Sequence, residues 1–104
     1  AWQKAKDLTI QIYSIFNESK DFGFRDQIQR ASVSIMNNIA EGYETGTNRH
    51  FKNYLFIAKA SCAEVRSMLI LGFELGKLSK EQYDKLLSLS IEISRMLSGL
   101  IKTL

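Results

Sequence analysis

Apolar residues recur along this chain in alternating steps of three and four, in blocks separated by short polar breaks. That is the spacing of helices that each bury a face. The densest block is Gln27 to Gly42, QIQRASVSIMNNIAEG. Wound as a helix, it sets Ile28, Ala31, Ile35 and Ile39 on one line and Val33, Met36, Ala40 and Tyr43 on a second. Arg30, Ser34, Asn37 and Glu41 take the remaining side. A helix apolar on two sides is expected at the centre of the packing.

The pattern predicts four helices, at about 2–18, 22–43, 48–75 and 80–103. The first carries a stripe of Trp2, Ala5, Thr9, Ile12, Tyr13 and Phe16, and Asn17 to Asp21 break it, with Asp21 placed to cap the second helix. The third, capped by Thr47 or Asn48 and stopped by Gly76, has a core line of Phe51, Leu55, Ala58, Cys62, Val65, Leu69 and Phe73. Ser79 with Gln82 three positions on forms a capping box, so the fourth helix starts there. Its stripe runs through Tyr83, Leu86, Leu87, Ser90, Ile93, Leu97, Ile101 and Leu104. Four helices joined by short turns alternate in direction, so the expected fold is all-α, an antiparallel up-down-up-down four-helix bundle in one domain over residues 1–104.

Some large apolar residues lie off these stripes: Phe56, Ile57, Ile70 and Leu71 on the third helix, and Leu89, Ile91 and Met96 on the fourth. Two readings follow. Either the core is wide and the rest is ordinary surface, or a second face is covered because subunits pack side by side. The second reading makes the folded unit incomplete until copies meet.

Composition narrows the class further. The absence of proline among 104 residues favours long uninterrupted helices. A net charge of +3 is compatible with an anionic partner and equally with solubility alone. One cysteine, Cys62, excludes an intrachain disulfide, and a cytoplasmic location is expected. No apolar run approaches the roughly 20 residues of a membrane span, and no membrane association is expected.

Candidate chemistry is sparse. His50 is the only histidine, and Thr47 stands where a Glu-x-x-His pair needs its carboxylate, so no metal or other cofactor is expected. Cys62 lies on the core line, far along the helix from His50, which reads as a buried structural thiol. Gly42 and Gly46 lack the strand and lysine of a phosphate loop. Neither an enzyme nor a small-molecule substrate is expected. Arg30, Ser34, Asn37, Asn38 and Glu41 stand at spacings that allow hydrogen bonds along the second helix: a structural polar seam, with a ligand site as the alternative. Lys52, Lys59 and Arg66, at seven-residue intervals and so roughly 10 Å apart, form a basic ridge beside the core line, with Arg49 and His50 at the helix start. These cations either lay their stems over apolar surface as a solvated face or track a phosphate backbone.

The segment Gln27 to Ile35, followed by Asn38-Ile39-Ala40-Glu41-Gly42, resembles the signature of a bacterial four-helix-bundle family. That family takes in proteins encoded within intervening sequences of large-subunit ribosomal RNA genes, and the accessory variability protein of diversity-generating retroelements. Trp2 and Ala5, Phe22-Gly23-Phe24, Phe51 to Leu55, Ile57-Ala58 with Ser61 and Glu64, Leu75 to Leu78 and Met96-Leu97 extend the resemblance over nearly the whole chain. It departs at Gln29, where an arginine pair is common, at Met36-Asn37, where Pro-Ser is common, and at Ala60, where a glycine is usual. The resemblance implies a homopentameric barrel, nucleic-acid binding, and a reverse transcriptase or ribosomal RNA as partner. Together with the ridge it nominates Arg49, Lys52, Lys59 and Arg66 as phosphate contacts. The alternative is a protein-interaction scaffold in which the ridge pairs with Glu74, Glu81 or Asp84 of a neighbouring subunit.

Overall fold

Each helix start is fixed by a side chain that satisfies an otherwise free backbone N–H, with α1 the exception. In the computed structural model, which describes all residues from Ala1 to Leu104, α1 spans Trp2–Phe16, α2 Phe22–Glu44, α3 Asn48–Glu74 and α4 Lys80–Lys102. Asp21 accepts from the Phe24 amide to open α2, and Thr47 accepts from the His50 amide to open α3. Ser79 and Gln82 bond reciprocally as a capping box at α4. Gly76, at φ +73, follows α3 in the left-handed conformation that a Cβ would disfavour. The expected boundaries therefore hold to within two residues. The largest shift is at the end of α1, where the Asn17 and Ser19 amides fold back onto Tyr13 and Phe16 and close the helix early.

The helices run antiparallel in the ring order α1, α2, α3, α4, and the backbones of the diagonal pairs stay apart. α2 against α3 is the most extensive contact and α1 against α4 the thinnest. Length explains this. α1 has 15 residues and α3 has 27, so at about 1.5 Å per residue α1 covers little more than half of the bundle, whose long dimension is 43 Å.

One core fills the centre. Ala5, Leu8, Ile12, Ile28, Ile35, Ile39, Leu55, Ala58, Cys62, Val65, Leu69, Leu86, Ile93 and Leu97 are fully buried. Each large aliphatic side chain among them contributes about 1.5–3 kcal/mol relative to exposure. Leu8 belongs to this core although it lies outside the stripe read for the first helix, whose proposed members Trp2 and Tyr13 are exposed. Buried hydroxyls are satisfied. Thr9 Oγ1 lies within reach of Ala5 O and, across the α1–α2 contact, of Ser32 O at 3.1 Å. Cys62 Sγ donates to Ser90 O across the α3–α4 contact at 3.0 Å.

Two expectations divide here. α2 buries one line, Phe24, Ile28, Ala31, Ser32, Ile35, Ile39 and Gly42, and sits at a corner of the ring like every other helix. Its second apolar line is not central: Val33 and Met36 are half-buried, and Ala40 and Tyr43 are exposed. Nor is the core wide enough to take the off-stripe residues of α3. Phe56, Ile57, Ile70 and Leu71 are 51%, 49%, 46% and 49% exposed.

Candidate nucleic-acid interface

The basic ridge forms on α3 because seven residues are close to two helical turns, so Lys52, Lys59 and Arg66 rise along one flank. The Cys62 contacts fix which flank. Cys62 Sγ reaches Ser90 O on α4, and Arg66 Nη1 lies 4.0 Å from the same sulfur, so the ridge borders the α3–α4 contact. Lys52, Lys59 and Arg66 are half-buried, and Arg49 in the first turn is exposed. The spacing of Ser90, Ser94 and Ser98 sets hydroxyls along the edge of α4 that meets this flank.

Ion pairs hold only four of the fourteen basic residues, so what distinguishes these cations is their regular placement on one flank rather than the lack of a partner alone. Ion pairs join Lys4 to Glu92, Arg25 to Asp26, Lys77 to Asp21 and Lys80 to Asp84. Arg49, Lys52, Lys59 and Arg66 take part in none. The Lys77 ammonium, together with the Phe24 amide, lowers the pKa of the Asp21 carboxyl. Burial pushes the Cys62 thiol up, against the pull of the nearby Arg66 guanidinium, so this sulfur is a neutral packing group. His50 lies on the exposed first turn of α3, and no group of three or more His, Cys, Asp or Glu side chains comes together anywhere in the chain.

The residues proposed as a seam on α2 separate into two sets. Ser34 and Asn38 face α3: Ser34 Oγ and Ser61 Oγ are 2.8 Å apart, and Asn38 Nδ2 donates to Ser34 O at 2.8 Å and to Ser34 Oγ at 3.0 Å. Arg30, Asn37 and Glu41 are exposed and make no side-chain hydrogen bond, so the expected Arg30–Ser34, Asn37–Glu41 and Asn38–Glu41 pairs do not form. The physical reason is angular. Asn38 sits closer to the α2–α3 contact than Asn37 does, and its amide finds the Ser34 carbonyl one turn back. Ser61, Gln27 and Glu64 complete the arrangement, Gln27 Nε2 donating to Glu64 Oε2 at 3.1 Å. A groove of about 480 Å³ opens beside them, with Asp26, Arg30, Ser34 and Ser61 among its lining residues. Spacing along α2 alone does not reveal the α3 half; Ser61 and Glu64, three apart on one flank of α3, are the signal that could have found it.

Four antiparallel helices around one core, with a basic flank on α3, define an all-α four-helix-bundle protein. More narrowly, the chain belongs to the family described as 23S rRNA-intervening sequence protein, whose family model matches residues 1–99. It is also similar to a crystal structure from Bacteroides thetaiotaomicron VPI-5482, a protein of unknown function from the S23 ribosomal protein family. The two share 30% identity, each is covered over 97% of its length, and the TM-score is 0.90. No curated protein matches the chain. No helix is long and apolar enough to cross a membrane.

Proposed function

We propose that this protein is a non-enzymatic, self-associating bundle that binds nucleic acid through charge, with Arg49, Lys52, Lys59 and Arg66 as its phosphate contacts. One observation carries the reading: these four cations lie together on α3, three of them at seven-residue intervals along one flank, and none has a carboxylate partner within the chain. Lys52, Lys59 and Arg66 are half-buried, and a long side chain that lies partly against the bundle loses less entropy when a phosphate is engaged. Binding of this kind is weakly selective for sequence, because phosphate contacts fix position and carry little base information.

Self-association rests on the exposed apolar residues of α1, α2 and α3, since monomers rarely leave large contiguous apolar patches bare. The family resemblance favours five copies, a ribosomal RNA or reverse transcriptase partner, and a ridge repeated in every subunit. A second reading has one observation in its favour. Glu74 and Glu81 are exposed and unpaired, so a neighbouring copy's ridge could meet them and form a protein scaffold with no nucleic-acid role. Asp84 is less suited, since Lys80 already holds it.

Fluorescence anisotropy with labelled RNA and DNA oligonucleotides at low salt tests the choice. Charge-driven binding gives measurable affinity that the triple variant Lys52→Glu, Lys59→Glu, Arg66→Glu abolishes while its helix content stays native. No binding by the wild-type chain at any salt overturns it in favour of the scaffold.

A further inference from the structure

We propose that the groove between α2 and α3 is a binding site for a small polar α-amino acid, held as its zwitterion with the carboxylate at Arg30 and the ammonium at Glu64. The site borders α2, on the other flank of α3 from the basic ridge, so it goes beyond the nucleic-acid reading and does not depend on it.

Two helices make this groove polar by the spacing of their side chains. Asp26, Gln27, Arg30 and Ser34 follow steps of one, three and four, so they share one flank of α2. Ser61 and Glu64 stand three apart on the flank of α3 that faces it. All six line the groove of about 480 Å³, and Ala31 is the one apolar residue in its wall. Sites for drug-sized ligands have volumes of about 300–1,000 Å³ and mostly apolar walls. This groove has the size and lacks the apolar wall, so it suits a hydrophilic molecule.

Its free hydrogen-bonding atoms divide between two ends. Toward Gly23 they are acceptors. Glu64 Oε2 accepts from Gln27 Nε2 at 3.1 Å, and Asp26 Oδ1 accepts from Arg25, which leaves Glu64 Oε1, Gln27 Oε1 and Asp26 Oδ2 unengaged. Toward Ser34 they are donors. The Arg30 guanidinium joins no ion pair and keeps its N–H groups free. Ser34 Oγ and Ser61 Oγ share one bond at 2.8 Å, and Asn38 Nδ2 donates to Ser34 Oγ. The two hydroxyls carry two protons and the shared bond uses one, so the other has no acceptor within the chain. Both hydroxyls line the groove, and Ser61 is only 9% exposed, so the acceptor for that proton comes from the groove.

These two ends match the two ends of an amino acid. The three acceptors suit the three N–H bonds of an ammonium, and a guanidinium fork beside a hydroxyl suits a carboxylate. Charge decides for a molecule that carries both groups. Arg30 lines the same groove as Asp26 and Glu64, yet pairs with neither. A simple anion seated at Arg30 meets two carboxylates, and a simple cation seated at Glu64 meets the guanidinium. A zwitterion satisfies both signs and leaves the net charge of the site unchanged. Arg30 is one helical turn from Asp26, about 5.4 Å along the axis, so the ligand's charges must also lie close together, as they do on an α-amino acid.

Gly23 marks the open end. A Cβ built there has nothing within 4 Å, so its missing side chain serves no packing contact and leaves the acceptor end of the groove clear.

Nuclear magnetic resonance titration of the isotope-labelled protein with glycine, L-serine and L-glutamine tests this. With at least one of the three, the backbone amides of Gln27, Arg30, Ser34, Ser61 and Glu64 should shift and saturate by about 50 mM. Acetate and methylammonium, which each carry one of the two charges, should not saturate them. Arg30→Gln and Glu64→Gln, both at exposed positions, should each raise the half-saturating concentration at least tenfold. Gly23→Leu, which fills the open end, should abolish the shifts without lowering the melting temperature. If circular dichroism shows Gly23→Leu unfolded, the two glutamine variants decide. Absence of a saturable shift with all three amino acids overturns the proposal. Saturation by acetate or methylammonium alone also overturns it, as does binding that is unchanged in both glutamine variants. Oligonucleotide anisotropy stands apart from these outcomes, so failure here leaves the nucleic-acid reading in place, and its failure leaves this site in place.

Discussion

The ring of Phe51 occupies the space that a side chain on Gly42 would need: a Cβ built there lies 2.8 Å from Phe51 Cδ1 and 3.1 Å from the Cβ of Tyr54. Phe51 in turn packs on Tyr43, their ring centroids 4.8 Å apart. The last turn of α2 and the first turns of α3 approach closely because Gly42 has no side chain. Gly42→Ala is therefore expected to destabilise the bundle by about 1–2 kcal/mol, overpacking outweighing the gain in helix propensity. Gly99 in α4 has nothing within 4 Å of a built Cβ, and Gly99→Ala should stabilise by about 0.5–1 kcal/mol. Urea unfolding of the two variants checks the opposite signs, and a stabilised Gly42→Ala contradicts the packing argument.

Across the same contact, Ser34, Asn38 and Ser61 share hydrogen bonds. Removing one hydroxyl with Ser61→Ala should cost about 0.5–1.5 kcal/mol, the net worth of a typical hydrogen bond. In a double-mutant cycle, Ser34→Ala and Ser61→Ala should be less than additive, because either change alone removes the shared bond. Strict additivity in chemical denaturation would show that the two hydroxyls act independently.

Cys62 gives a prediction in pH. Burial raises its pKa in the folded chain, whereas the unfolded thiol ionises near the usual value of about 8.5. The folded state therefore holds its proton where the unfolded state releases it. This contribution is fully present below the unfolded pKa and is lost as pH rises above it. Wild type should lose thermal stability from about pH 8.5 upward more steeply than Cys62→Ala does, read as the difference between their melting temperatures from pH 7 to pH 10. Parallel curves would mean that the thiol is not held neutral. In the folded chain the same sulfur should also resist a thiol-specific reagent until denaturant is added.

Much of the fold is legible in the sequence because its local devices are strong. Asp21, Thr47 and Ser79 sit where caps are needed, and Gly76 ends α3; each feature acts within a few residues of itself. Burial is less legible where it depends on the neighbours of a helix. Val33 and Tyr43 form an apolar line as good as Ile28 and Ile35, yet the single chain buries only the second pair, because α2 has two neighbours and one core. Leu8 shows the converse, a fully buried residue outside the proposed stripe. The candidate site divides in the same way. The seven-residue spacing of Lys52, Lys59 and Arg66 is visible in one dimension. Their lack of carboxylate partners, and the meeting of Ser34 with Ser61, arise only when distant segments are brought together.

The central claim is that the unpaired cations of α3 engage phosphates, and the dependence of affinity on salt measures this most directly. Each phosphate contact contributes a slope of about −0.7 for single strands or −0.9 for duplex in log affinity against log salt. Wild type should show a steep linear fall, and Lys52→Gln or Lys59→Gln should each make the slope shallower by about one contact, roughly 0.7–0.9. A flat salt dependence, or a slope unchanged when these lysines lose their charge, would contradict the account.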